Sequence, residues 1–370
     1  MKTIPYITLT TAGLYVLKRI INPTKYKITE HISHDPKLNS IIDQVNSEEH
    51  KVPFKSPKSP VIQYSRVQIT YPDDKFDYFH FDYVQGANPS KGPVIICCQM
   101  TGSSSSPCIQ RTVSEFHEAG HSVFVLLPRG GEVEINPNQK KFRSEGYDTE
   151  DLDTLVGLVH DWQNSNNDWE SVQNSYFASL QSLRAANNTL LIGFSLSSLT
   201  VSHYIDTTTP ANNRGCINRM AVCFAPHDPF YSITKMPLLI RKHLGSLLKP
   251  YILKNKNYII SHGHSEDKLN QIIKQQTLDS FDQNIWCPVR NMTLYEYYEF
   301  INIQPRMKRI NVPVLFVNTF NDPVVKHIPR DIIKQNDNLN LVMFNKGGHL
   351  GTEIQNGEYL VARIARMWFE

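Results

Sequence analysis

From Val67 onward, short continuous apolar runs alternate with longer stretches of helical spacing, and this rhythm restricts the possible folds more than any other feature of the chain. The runs are PVIICC (93–98), HSVFVLLP (121–128), TLLIGFS (189–195), RMAVCFAP (219–226), VPVLFVN (312–318) and LNLVMFN (339–345). A strand that is apolar throughout is buried on both faces, which calls for a mostly parallel sheet covered by helices on either side. Two earlier segments, VQITY and FDYFHFDYV, alternate instead and read as an antiparallel pair leading in. CIQRTVSEFHEAG, DTEDLDTLVGLVHDW and LSSLTVSHYI have helical spacing between the runs; Gly120 suits a C-cap, and Asp148 or Thr149 an N-cap. The expected fold is α/β, a mostly parallel central sheet flanked by helices over residues 66–370. The rhythm breaks once, at about 228–309, where a helical, Lys-rich and aromatic stretch reads as a lid inserted after the sixth strand.

Residues 1–65 do not follow this pattern. Ile4 to Leu17 is mostly apolar, between Lys2 and the pair Lys18-Arg19, but it is shorter than the roughly 20 residues that span a bilayer. Residues 1–21 are therefore expected to be a membrane anchor or a surface helix, and 22–65 a polar, Pro/Lys-rich arm. A membrane-associated protein, otherwise cytoplasmic, is the corresponding localisation. A net charge of +3 gives no footprint for nucleic acid. The six cysteines lie mostly in apolar runs and form neither a disulfide framework nor a zinc motif.

In open α/β sheets the functional groups gather beyond the carboxyl ends of the strands. Four such loops carry chemistry. In GFSLSS the strand runs straight into a helix, which forces a tight turn with Ser195 at its apex. Small residues two before and two after the serine let strand and helix approach; Gly193 meets the first demand, and Ser197 meets the second less well, as a tolerable crowding. In FVNTFNDPVV, Asp322 follows a strand and can orient an imidazole. In NKGGHLG, His349 follows the last strand between glycines, and histidine is the usual base for activating a serine. Ser195, Asp322 and His349 thus occur in the chain order nucleophile, acid, base. The fourth loop, CQMTGSSSSP, faces the serine from the third strand, which assigns the backbone N–H groups of Met100 and Leu196 to an oxyanion hole. His262 and His264 have a metal-compatible spacing but no companions, so neither a metal nor a cofactor is expected.

These segments resemble the α/β-hydrolase 4 family, the group that contains the abhydrolase domain-containing proteins 1, 2 and 3. MTGSSSSPCIQRTV, LPRGGEVE, YDTEDLDTLV, GFSLSS, LYEYYE, NVPVLFVNTFNDPVV and GGHLG look like the family's successive motifs, in order from about Pro93 to Gly351. The resemblance implies an α/β-hydrolase fold and a serine esterase or lipase acting on acylglycerol, phospholipid or other acyl esters. It implies Ser195 as nucleophile, Asp322 as charge-relay acid and His349 as base. Ser197-Ser198 stand where the family has two glycines, Cys98-Gln99 where it has His-Gly, and Asn321-Asp322 where it has Asp-Asp. Two alternatives follow: a lipid- or protein-binding pseudo-hydrolase with a closed oxyanion hole, and an acyltransferase to an alcohol.

Overall fold

A computed structural model of the chain describes residues 25–51, 58–99, 101–140, 148–163, 169–178, 188–206, 212–275, 277–354 and 357–370. The apolar N-terminal stretch expected as an anchor lies outside these residues, as does Met100. Among the described residues, no helix is long and apolar enough to cross a membrane.

All eight expected strands form, together with a ninth. The strands are β1 (Ile28–Ile32), β2 (Ser65–Thr70), β3 (Tyr78–Val84), β4 (Val94–Cys97), β5 (Val123–Leu126), β6 (Thr189–Phe194), β7 (Ile217–Cys223), β8 (Val314–Thr319) and β9 (Leu339–Phe344). They make one sheet in the order β1-β9-β8-β7-β6-β4-β5-β3-β2. From β5 to β9 across its centre the sheet is parallel, and β2, β3 and β1 pair antiparallel at its two margins. β4, β5, β6, β8 and β9 are buried along their whole length, which is why their sequences show no alternation. Two apolar layers result, one on each face. Ile95, Phe124, Leu191 and Phe316 point to one face; Val94, Val125, Ile192 and Leu315 point to the other. This is the α/β-hydrolase architecture expected from the sequence.

The polar arm is where structure and sequence reading differ. β1 pairs with β9, and α1 (Pro36–Ser47) packs beside it with Leu38, Ile41, Ile42 and Val45 buried. Those four positions follow i, i+3, i+4, i+7, the spacing of one helical face. The helix starts at Asp35, whose carboxylate accepts the Lys37 N–H at 2.9 Å, with Pro36 in the first turn. The surrounding Asn, Ser and Lys residues lower the average hydropathy and hide this stripe, so the stretch expected as a polar arm contains both an edge strand of the sheet and a helix with a buried face.

Helices α2 (Pro107–Glu118), α3 (Glu150–Gln163), α4 (Trp169–Ala178) and α5 (Ser197–Ile205) follow β4, β5 and β6, and a C-terminal helix (Leu360–Phe369) closes the fold. Between β7 and β8 the chain runs through α6 (Pro229–Lys235), α7 (Leu238–Lys254), α8 (Lys256–Ser261), α9 (Glu266–Gln275), a π-turn (Asp282–Trp286) and α10 (Leu294–Ile301). This helical segment sits over the carboxyl ends of the central strands.

Candidate active site

Only two residues separate β6 from α5, so the chain must reverse at Ser195. Its φ is 53°, a left-handed value costing about 1–3 kcal/mol for a side-chain-bearing residue. The Ser195 N–H donates to the Cys223 carbonyl at 2.9 Å and so holds the turn against β7. Gly193 is required by the close approach of helix to strand: a Cβ there would stand 2.6 Å from Val201 Cγ2 and 2.8 Å from the Ser197 carbonyl oxygen.

Ser197, expected as a tolerable crowding, makes hydrogen bonds within the turn and to β4. Its Oγ accepts the Phe194 N–H at 2.9 Å and lies 2.7 Å from the Cys97 carbonyl oxygen, to which it donates. Ser198 Oγ lies 2.9 Å from the carbonyls of both Gly193 and Cys223. The two hydroxyls add side-chain hydrogen bonds to backbone groups at the end of the β4–β6 ladder and tie the serine turn to β4 on one side and β7 on the other.

Ser195 Oγ is 2.8 Å from His349 Nε2, and His349 Nδ1 is 2.9 Å from Asp322 Oδ2. The Asp322 side chain is wholly shielded from solvent. Its other oxygen, Oδ1, accepts the N–H groups of Val324 at 2.7 Å and Val325 at 3.1 Å. The carboxylate therefore has one oxygen fixed by backbone and one left for the imidazole. The histidine loop is held as firmly. Gly348 donates its N–H to Asn321 Oδ1 at 2.8 Å, its carbonyl accepts from Thr319 Oγ1 at 2.7 Å, and the Leu350 carbonyl accepts from Tyr359 Oη at 3.1 Å. A Cβ on Gly347 would lie 2.1 Å from the Gly351 carbonyl oxygen, and Gly347 and Gly348 both have positive φ, so these glycines shape the loop as well as leaving room in it.

Ser195 and His349 open onto a cleft of about 360 Å3 between the sheet and the helical cover. Ile240, Leu244 and Leu248 of α7, with Met236, Leu278 and Ile301, give it apolar walls. Leu196 lies at its edge where α5 begins, and the first N–H groups of a helix have no intrahelical acceptor. Gln99 lines the same rim, and its carbonyl accepts the Gly102 N–H at 2.7 Å.

One polar pair in this apolar wall gave no signal in the sequence. Asp282 is buried in the π-turn and accepts from Tyr298 Oη at 2.7 Å. Burial pushes its carboxyl up to about 7, only partly opposed by that hydrogen bond. Asn321 and Thr319 also escaped the sequence reading; their side chains act on backbone, which residue type alone does not disclose. His262 is engaged with Tyr258, its Nδ1 2.9 Å from that carbonyl, and no group of three or more His, Cys, Asp or Glu residues among the described residues is placed to hold a metal.

No protein-family model matches the chain. Human phospholipase ABHD3 is 24% identical over 314 residues, covering 81% of this chain and 69% of that protein. Zebrafish (Danio rerio) monoacylglycerol lipase ABHD2 is 30% identical over 111 residues, covering 28% of this chain and 26% of that protein. Among solved structures, an esterase of Pyrococcus furiosus has 14% identity and a TM-score of 0.44, covering 82% of this chain and 89% of that one.

Proposed function

We propose that this chain, a member of the α/β-hydrolase family that includes the abhydrolase-domain proteins, is a serine carboxylic-ester hydrolase whose substrates are acyl esters of lipid character. The observation that carries the reading is the continuous relay from Ser195 Oγ through His349 to Asp322, opening onto an apolar cleft.

In the reaction, Ser195 Oγ attacks the ester carbonyl while His349 Nε2 takes its proton. Asp322 keeps Nδ1 protonated and stabilises the imidazolium that forms. The tetrahedral oxyanion is met by the N–H of Leu196 and, in this proposal, by that of Met100, which lies outside the described residues. Collapse breaks the ester C–O bond, and the departing alcohol takes the proton from Nε2. A water molecule then gives its proton to the same nitrogen and attacks the acyl carbonyl. The carboxylic acid leaves, and Ser195 recovers its proton.

The cleft walls favour a hydrocarbon acyl group, since each buried CH2 is worth about 0.8 kcal/mol. The phospholipase and monoacylglycerol lipase named above are consistent with this substrate class. Hydrolysis of a p-nitrophenyl ester series of increasing acyl length tests it: kcat/KM should rise from acetyl towards medium chains. A folded protein with no activity on any member, or one whose kcat/KM falls steadily with chain length, contradicts the reading.

A further inference from the structure

The helical cover has a second apolar face, turned away from the cleft. Of the exposed large apolar side chains among the described residues, all but Val61 and Phe320 stand in this segment. Leu239 is 80% exposed, Leu238 51% and Leu253 49%. At 100° per residue, Leu238, Lys249, Lys242, Leu253 and Leu239 fall in that order within about 100° of the circumference of α7. The opposite side of the helix carries Ile240, Leu244 and Leu248, which line the cleft. Leu247 lines the cleft and is itself exposed, so the outer face borders the cleft mouth. At the start of the segment stand further exposed aromatic side chains: Tyr231 lies under Lys235 Nζ at 5.8 Å, and Phe230 meets the Tyr295 ring edge-on at 5.1 Å.

The charge of this face is one-sided. From Lys235 to Lys256 the chain carries six Lys and Arg residues and no acid. Arg241 pairs with Asp279 and Lys256 with Glu266, whereas Lys242 and Lys249, which interleave with the exposed leucines, have no carboxylate partner among the described residues. Leucines flanked by lysines on one helical arc fit the boundary between acyl chains and anionic headgroups.

We propose that the outer face of α7, with Leu238, Leu239 and Leu253 inserted and Lys242 and Lys249 over the headgroups, docks this protein on an anionic bilayer surface. Docking there brings the cleft mouth to the lipid. The surface extends the lipid-ester reading without depending on catalysis: Ser195→Ala protein docks as the wild type does.

The test uses the full chain carrying Leu239→Cys labelled with an environment-sensitive fluorophore; the six native cysteines are buried or half-buried, which favours labelling at the new site. Vesicles of phosphatidylcholine with phosphatidylserine should shift the emission to the blue. Phosphatidylcholine alone should do so much less, and high salt should reverse the effect. Lys242→Glu/Lys249→Glu should weaken vesicle affinity at least about tenfold and leave hydrolysis of a water-soluble ester unchanged. A probe that stays water-exposed while the protein cosediments with vesicles overturns the proposal, because another segment then holds the membrane. Absence of any vesicle response, or wild-type affinity in the charge-reversed protein, also overturns it.

Discussion

Ser197 Oγ closes the gap between two strands at the candidate nucleophile: it accepts the N–H of Phe194 at 2.9 Å and donates to the carbonyl of Cys97 at 2.7 Å. A residue standing where related sequences have glycine thus fastens the serine turn to β4, the strand that leads into the loop across the site. Replacing Ser197 by glycine would restore the familiar motif and remove the side-chain hydrogen bonds to the Phe194 N–H and the Cys97 carbonyl. Ser197→Gly should therefore lower stability by about 1–3 kcal/mol in urea unfolding while retaining esterase activity. An unchanged or raised unfolding midpoint would contradict this account of the residue.

Asp322→Asn should preserve the fold and remove most of the activity. The amide oxygen can replace Oδ1 as acceptor for the Val324 and Val325 N–H groups, which turns the NH2 towards His349 Nδ1. That contact requires an unprotonated Nδ1 and puts the ring proton on Nε2, where it can no longer take the serine proton. The expected loss in kcat is on the order of 10^4, with circular dichroism and Tm close to wild type.

Asn321 acts through the Gly348 N–H, and its contribution is separable from charge. Asn321→Ala releases one end of the histidine loop and should lower kcat by about 10- to 100-fold, the scale of a small misplacement of a reacting group. Asn321→Asp keeps an acceptor oxygen at the same place and should stay near wild type. Equal losses in both variants would show that the hydrogen bond to Gly348 is not what matters.

Asp282 makes stability depend on pH in a direction opposite to that of a salt-bridged acid. Its folded carboxyl is raised to about 7 from the ordinary 3.8, so between those values the folded protein holds a proton that the unfolded chain has lost. More protons on the native state means that stability falls as pH rises through this window and levels off above it. Asp282→Asn should remove that slope. Tm measured from pH 4 to pH 8 for both proteins gives the comparison, and parallel curves would contradict the assignment.

Much of the sheet was legible because burial on both faces leaves unbroken apolar runs, and Gly193 was legible because close packing at the turn excludes a side chain. α1 was not, since its stripe of Leu38, Ile41, Ile42 and Val45 is set among polar residues that dominate any local average. The placement of Ser195, Asp322 and His349 at strand ends followed from the pattern alone. Their distances did not, nor did the supports supplied by Asn321, Thr319 and Tyr359, which depend on loops meeting across the sheet. Ser197 was legible only in part for a related reason: size can be read from a sequence, but a hydroxyl's hydrogen-bond partners appear only once strands are paired. Asp282 in the cleft wall is the same case, an acid whose burial comes from tertiary packing.

The central claim is that Ser195 is a nucleophile activated by His349. Labelling of the purified full-length protein with a fluorophosphonate probe tests it most directly, with Ser195→Ala and His349→Ala alongside. The account predicts one covalent adduct on the wild type, mapped to Ser195 by peptide mass, none on Ser195→Ala and strongly slowed labelling of His349→Ala. A folded wild type that takes no label, or a Ser195→Ala protein that labels as well, would contradict it.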